Sequence, residues 1–274
     1  SHEAAATLQA LGATPVRVSL FDVGALTPAV AGHDAVVNLA TSLPSMWRFA
    51  FTSAWRTNTK VRTEGSTALV TAALASGVPR YLQESVSMLY PDRGDAWIDE
   101  SVAVDSTPPA AAANLAAEAQ AQRFADQGGT RIVLRFGLFY GPTASHSEVF
   151  VATARRHLCI QMGPPGSYVS SIHVDDGGAA VVALLDAPSG IYNVVDDEPL
   201  TKQAFSDALA AAVGKRPWLR VPGRAGLLLG KRTTTVTRSI RVSNAKLRGA
   251  TGWAPRYPSA REGWPATVAD LARR

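Results

Sequence analysis

Residues 83–90, Gln-Glu-Ser-Val-Ser-Met-Leu-Tyr, place a carboxylate, two hydroxyls and a phenol in one short stretch. The Ser85 hydroxyl could donate to a substrate carbonyl, Tyr90 could act as an acid, and Glu84 could serve as a general base if partly buried. Each also has a structural reading, since hydroxyls are satisfied at strand ends, tyrosines pack and glutamates pair. A second stretch, Phe136-Gly137-Leu138-Phe139-Tyr140-Gly141-Pro142, follows the apolar run Ile132-Val133-Leu134. Its glycines and proline stop regular structure and free the backbone for close contacts. In an open α/β sheet, ligands bind beyond the carboxyl ends of the strands. This turn is a candidate site wall.

The rest of the chain must position these two stretches. Residues 3–11 read as a helix stopped by Gly12, Pro15–Leu20 alternates like a strand, and Ala25–Ala31 is a short helical run. Asp34–Thr41 carries Val36 and Val37 as a buried parallel strand. A helix over Thr63–Ser76 leads to strand Tyr81–Val86, and a helix over about 110–127 leads to the strand at 132–134. Strand and helix alternate throughout, which predicts α/β class, a Rossmann-like doubly wound parallel sheet.

Several segments, taken in order, resemble the NAD-dependent epimerase/dehydratase family, the extended short-chain dehydrogenases/reductases. Asp34-Ala-Val-Val-Asn-Leu-Ala-Thr41 is similar to the family's "DxVxHLAA", with Asn38 at the histidine position, and Arg62-Thr-Glu-Gly-Ser-Thr67 to "NVxGT", with Arg62 replacing asparagine. Leu134–Pro142 resembles "LRxxxxYGP", Ser170–Asp176 "FIHVDD" and Gly190–Val195 "GxYNV"; Arg241–Arg248 and Gly252–Pro258 resemble the closing segment. The resemblance implies NAD or NADP lying along Leu20, Leu39, Ala40, Thr41, Ser85, Phe136, Gly137 and Leu138. It puts Ser85 about where the catalytic serine sits, within one residue, and makes Tyr90 a candidate replacement acid. It also makes Trp47, Phe49, Phe51 and Trp55 either an aromatic lid or core. Residues 1–141 and 169–198 would form the dinucleotide-binding domain, and 142–168 with 199–274 a smaller substrate lobe.

Two features depart from that pattern. The family's Tyr-x-x-x-Lys passes a proton from tyrosine while lysine tunes it and holds the ribose. Alignment on Pro109 and Leu115–Glu118 puts Ala110 and Asn114 at those positions, and neither can do that chemistry. The second departure is at the amino end, where no Gly-x-Gly-x-x-Gly turn precedes the first helix. Gly163-Pro-Pro-Gly166 and Gly226-Leu-Leu-Leu-Gly230-Lys231 do not replace it. A leading strand–turn–helix unit before Ser1 is therefore expected.

Composition bounds the rest. A 46% hydrophobic chain with one cysteine, Cys159, reads as globular and without an internal disulfide, in a reducing cytoplasmic compartment. No apolar run has transmembrane length, no Cys/His cluster has metal-ligand spacing, and no Gly-x-Ser-x-Gly elbow signals a hydrolase. Between Asp207 and Glu262 there are twelve Lys or Arg and no acidic residue. That block reads as a solvated basic face or as an attractor of nucleotide, phosphate or CoA, and it lacks a nucleic-acid reading motif. His146 reads as a solvated loop residue or a substrate contact, His157 as a surface helix residue, and Asp175-Asp176 as helix-capping carboxylates. The expected partners are a small-molecule substrate, anionic in one version, and a second copy of the chain; nucleic acid and membrane are not expected. The expected function is an atypical NAD(P)-dependent oxidoreductase or epimerase-like enzyme. The alternatives are a non-catalytic NAD(P)-binding protein and a sugar-nucleotide-modifying enzyme.

Overall fold

The computed structural model describes residues 2–44, 48, 51–159, 163–216, 219–220 and 237–274. The chain begins with helices α1 (His2–Ala10) and α2 (Val23–Val30), then strand β1 (Val36–Asn38), α3 (Arg56–Lys60), a π-helical turn over Val61–Gly65, and α4 (Ser66–Ala75). Next come β2 (Arg80–Val86), β3 (Trp97–Ile98), α5 (Pro109–Asp126), β4 (Thr130–Phe136) and β5 (Leu138–Tyr140). They are followed by α6 (Ser145–Arg155), β6 (Leu158–Cys159), β7 (Tyr168–Val169), β8 (Ser171–His173), α7 (Val174–Leu184) and β9 (Gly190–Val194). The chain continues through β10 (Leu200–Thr201), α8 (Lys202–Ala212), β11 (Leu219–Arg220), β12 (Arg241–Val242), α9 (Ala245–Thr251) and α10 (Ala260–Arg273).

The central sheet is parallel, in the order β1-β2-β4-β9. Alternation along the strands divides its two faces. Tyr81 and Val133 pack with Leu69, Val70 and Ala73 of α4 and Phe124 of α5. Leu82, Ile132, Leu134 and Phe136 pack with Ala180 and Leu184 of α7. Both faces are covered by helices, so successive residues along β2 and β4 are buried whichever face they point to. A separate cluster of Tyr140, Phe150, Leu200, Phe205 and Trp264 joins α6, α8 and α10. The outer edge of β9 is closed by side chains. Asn193 donates its N–H to Glu100 at 2.8 Å, and Lys246 Nζ donates to Ile191 O at 2.8 Å. A strand edge satisfied this way offers less to another strand.

Several expectations are corrected. Pro15–Leu20 has no ladder partner and Val16 and Val18 are exposed, because alternation makes a strand only where a neighbour pairs with it. Val37 is exposed, since β1 is an edge strand. The helix expected from Thr63 starts earlier, at Arg56, and passes through the π turn. Structure does not stop at 136–142, because β5 pairs in parallel with β8. His146 lies on α6 rather than in a solvated loop, half-buried against Phe139 O, and burial lowers its pKa. His157 follows α6 at φ 62° and bonds Arg216 O at 2.9 Å.

The Asp175-Asp176 expectation also changes. His173 Nδ1 takes the Asp175 N–H at the start of α7, while buried Asp176 accepts from the N–H groups of Arg256 at 2.8 Å and Tyr257 at 3.0 Å. The carboxylate does cap backbone donors, but those of the carboxyl-terminal segment.

Two predictions arise from packing. Gly137 donates its N–H to Val194 O at 3.0 Å, and an added Cβ would lie 2.7 Å from Ser170 O. Backbone cannot yield as a side-chain tip can, so Gly137→Ala is expected to cost about 1–3 kcal/mol, read as a lower denaturation midpoint. Lys202 is buried at the start of α8, and its Nζ donates to Arg238 O at 2.8 Å. Burial lowers its pKa to about 8, with Asp92 opposing. Between that value and the ordinary 10.5, the unfolded chain holds the proton that the folded chain has lost. This residue therefore makes stability rise with pH across that window. Lys202→Met is expected to flatten that part of the pH–stability curve, measured by urea unfolding.

Candidate active site

The carboxyl ends of β1, β2 and β4 carry the polar groups of interest. Leu39 and Thr41 are exposed just beyond β1, and Ala40 between them is half-buried. This short loop is fixed by buried side chains: Asn38 Oδ1 takes the Ala40 N–H at 3.2 Å, and Asn58 Oδ1 takes the Ser42 N–H and the Thr41 hydroxyl, each at 3.1 Å. Leu20 packs against Gly65 and the core cluster that includes Val36. Phe136 is buried against Phe139, with ring centroids 4.9 Å apart, and Leu138 is half-buried. Of the aromatic residues after β1, Trp47 and Phe49 lie outside the described residues, Phe51 is exposed and Trp55 is half-buried.

Ser85 and Tyr90 belong to one buried network. The Ser85 hydroxyl donates to Glu118 Oε1 at 2.6 Å. Arg135 grips the same carboxylate bidentately, Nε to Oε1 at 3.0 Å and Nη2 to Oε2 at 2.7 Å. Arg135 Nη1 donates to the Tyr90 hydroxyl at 3.1 Å, and Tyr90 donates to Asn193 Oδ1 at 2.9 Å. Both Ser85 and Tyr90 are fully buried. Burial raises the Tyr90 pKa, with Arg135 working against it. Both hydroxyls are bonded to protein groups. Asn114 is buried one turn before Glu118 on α5, and Ala110 lies in that helix's first turn.

A second charged pair lies nearer the β1 loop. Arg62, on the π turn, places Nη2 2.9 Å from Glu84 Oε1 and 2.6 Å from Oε2. Its Nη1 approaches Glu84 O at 3.4 Å, and Nη2 approaches the Thr41 hydroxyl at 3.4 Å. Burial raises the Glu84 pKa and Arg62 opposes it. The sequence marked Arg62 as a departure but gave it no partner. It missed Glu118 and Arg135 as a unit. A charged residue inside the buried run 132–136 was the available signal, because a buried charge demands a partner.

Residues 1–194 match the NAD dependent epimerase/dehydratase family. A 3-diazoavenalumate denitrifying reductase of a Streptomyces species is 35% identical over 213 residues, 74% of this chain and 70% of that protein. The chain belongs to the NAD dependent epimerase/dehydratase family. Solved structures similar to this epimerase/dehydratase-family chain agree on its fold. The dTDP-glucose 4,6-dehydratase of Streptomyces venezuelae, with NAD and TYD bound, superposes with a TM-score of 0.82 at 20% identity, over 100% of this chain and 84% of that one. The UDP-glucose 4-epimerase of Thermus thermophilus, complexed with NAD, gives 0.75 at 23%, over 95% and 85%. RMD from Pseudomonas aeruginosa, complexed with NADPH, gives 0.74 at 22%, over 95% and 89%. Among the described residues, no helix is long and apolar enough to cross a membrane, and no three His, Cys, Asp or Glu side chains group to hold a metal ion.

Proposed function

We propose that this protein is an NAD(P)H-dependent reductase whose small-molecule substrate accepts hydride without a proton from a Tyr-x-x-x-Lys pair. The observation that carries this reading is the state of the acid groups. Ala110 and Asn114 occupy the aligned tyrosine and lysine positions, and the Ser85 and Tyr90 hydroxyls are held in a buried network. The described residues fit the cofactor of this family at the loop after β1, where Leu39 and Thr41 are exposed and Arg62 has a buried Nε with no acceptor. When bound, NAD(P)H supplies hydride. The chain's part is to hold the loop at 39–42, wall the site with Phe136–Leu138 and orient the acceptor.

The name of the Streptomyces reductase points to an acceptor that needs so little help. An arenediazonium ion and one hydride give the arene and N2, with one C–H bond formed, one C–N bond broken and no proton required. A site without an acid can serve that reaction, whereas carbonyl reduction leaves an alkoxide that must be protonated.

The full-length protein is to be incubated with NADPH or NADH and an aryl diazo acid, following absorbance at 340 nm and N2 release. Coenzyme oxidation matched one to one by N2 is expected, and coenzyme deuterated at C4 should place deuterium on the arene. Tight coenzyme binding with no turnover would overturn the reductase reading in favour of a non-catalytic NAD(P)-binding protein, the reading that Ala110 and Asn114 also favour.

A further inference from the structure

Arg62 is built into its place by more than its ion pair. The helix that carries it is π-wound over Val61–Gly65, an uncommon winding that is frequent at functional sites. That turn delivers the guanidinium to the carboxyl ends of β1 and β2, where it is almost fully buried. There it meets the Glu84 carboxylate, the Glu84 carbonyl and the Thr41 hydroxyl, and Asn58 holds that hydroxyl from the other side. Its Nε is buried with no acceptor. A buried ion pair contributes little net stability, so folding alone gives weak reason to place one here. What the pair does mechanically is tie the exposed 39–42 loop to the end of β2.

We propose that Arg62, locked by Glu84 and reaching Thr41, is a positioning residue of the cofactor site. This rests on the NAD(P)H reading above. Arg62 acts through the loop, its Nη2 on the Thr41 hydroxyl setting the backbone of Leu39–Ser42 against which the coenzyme lies.

The test is coenzyme affinity, by fluorescence titration of the full-length protein with NADPH and NADH, alongside thermal unfolding. Arg62→Gln alone leaves Glu84 buried without a cation and is expected to unfold early. The double variant Arg62→Gln/Glu84→Gln replaces the pair as a neutral unit. It is expected to melt near wild type yet bind coenzyme about tenfold more weakly, roughly the loss of one charged hydrogen bond. Arg62→Lys keeps the charge but cannot span Glu84 and Thr41. It should show the same weakening, with a raised coenzyme KM and an unchanged kcat. If Arg62→Lys and the double variant bind as wild type does, the proposal is overturned while the reductase reading stands. If wild type itself binds neither coenzyme, the reductase reading fails and the proposal falls with it.

Discussion

Replacing Glu118 by alanine is expected to cost about 3–5 kcal/mol of unfolding free energy, because it strands a charge in the interior. Arg135, a residue 4% exposed on β4 between β2 and β9, keeps as its remaining partner of note the neutral Tyr90 hydroxyl. The same change removes the acceptor of Ser85. Urea unfolding at neutral pH measures the loss. Glu118→Gln, which keeps an acceptor for both, should lose clearly less. The paired variant Glu118→Leu/Arg135→Met should recover much of the deficit, since buried pairs are often replaceable as a unit. An alanine variant as stable as wild type would mean that the network does not hold β2 and β4 as described.

The largest effect on activity is expected from restoring the missing pair. Asn114→Lys would put an ammonium beside the strand ends, where Arg62 and Arg135 are each neutralised by a glutamate. Toward a cationic diazo substrate, one added positive charge at ~6 Å costs about 3 kcal/mol at an effective dielectric near 20, roughly a hundredfold in kcat/KM. Toward a neutral carbonyl substrate, the double variant Ala110→Tyr/Asn114→Lys should gain turnover, because general acid catalysis contributes about 10²–10⁴-fold. Steady-state rates with one diazo and one carbonyl acceptor read both arms. If Asn114→Lys leaves diazo turnover unchanged, the substrate is not held near that residue. If the double variant stays inactive toward carbonyls, the first turn of α5 does not face the acceptor.

What the sequence could disclose followed from how local each feature is. The run at 132–134 announced a buried strand, and β4 is that strand extended to Thr130–Phe136. Pro15–Leu20 showed the same alternation and stayed unpaired, since pairing is a property of two segments and only one was in view. Family resemblance located the loop at Leu39–Thr41, yet the groups that fix it, Asn58 and Arg62, come from a helix whose π winding has no simple residue signature. Ser85 and Tyr90 were visible as chemistry. Their attachment to Glu118, Arg135 and Asn193 spans up to 103 positions and exists only once the sheet has formed.

The grip of Asp176 on Arg256 and Tyr257 links residues 80 and 81 positions apart. During synthesis, α7 emerges long before its carboxylate's partners do. Until residue 257 has left the ribosome, Asp176 cannot reach its acceptor-matched N–H groups, and burying it would leave a charge without donors. That step of assembly is thereby made to wait for residue 257. A chain cut short before residue 256 would leave α7 poorly seated, exposed to the proteases that clear incomplete products.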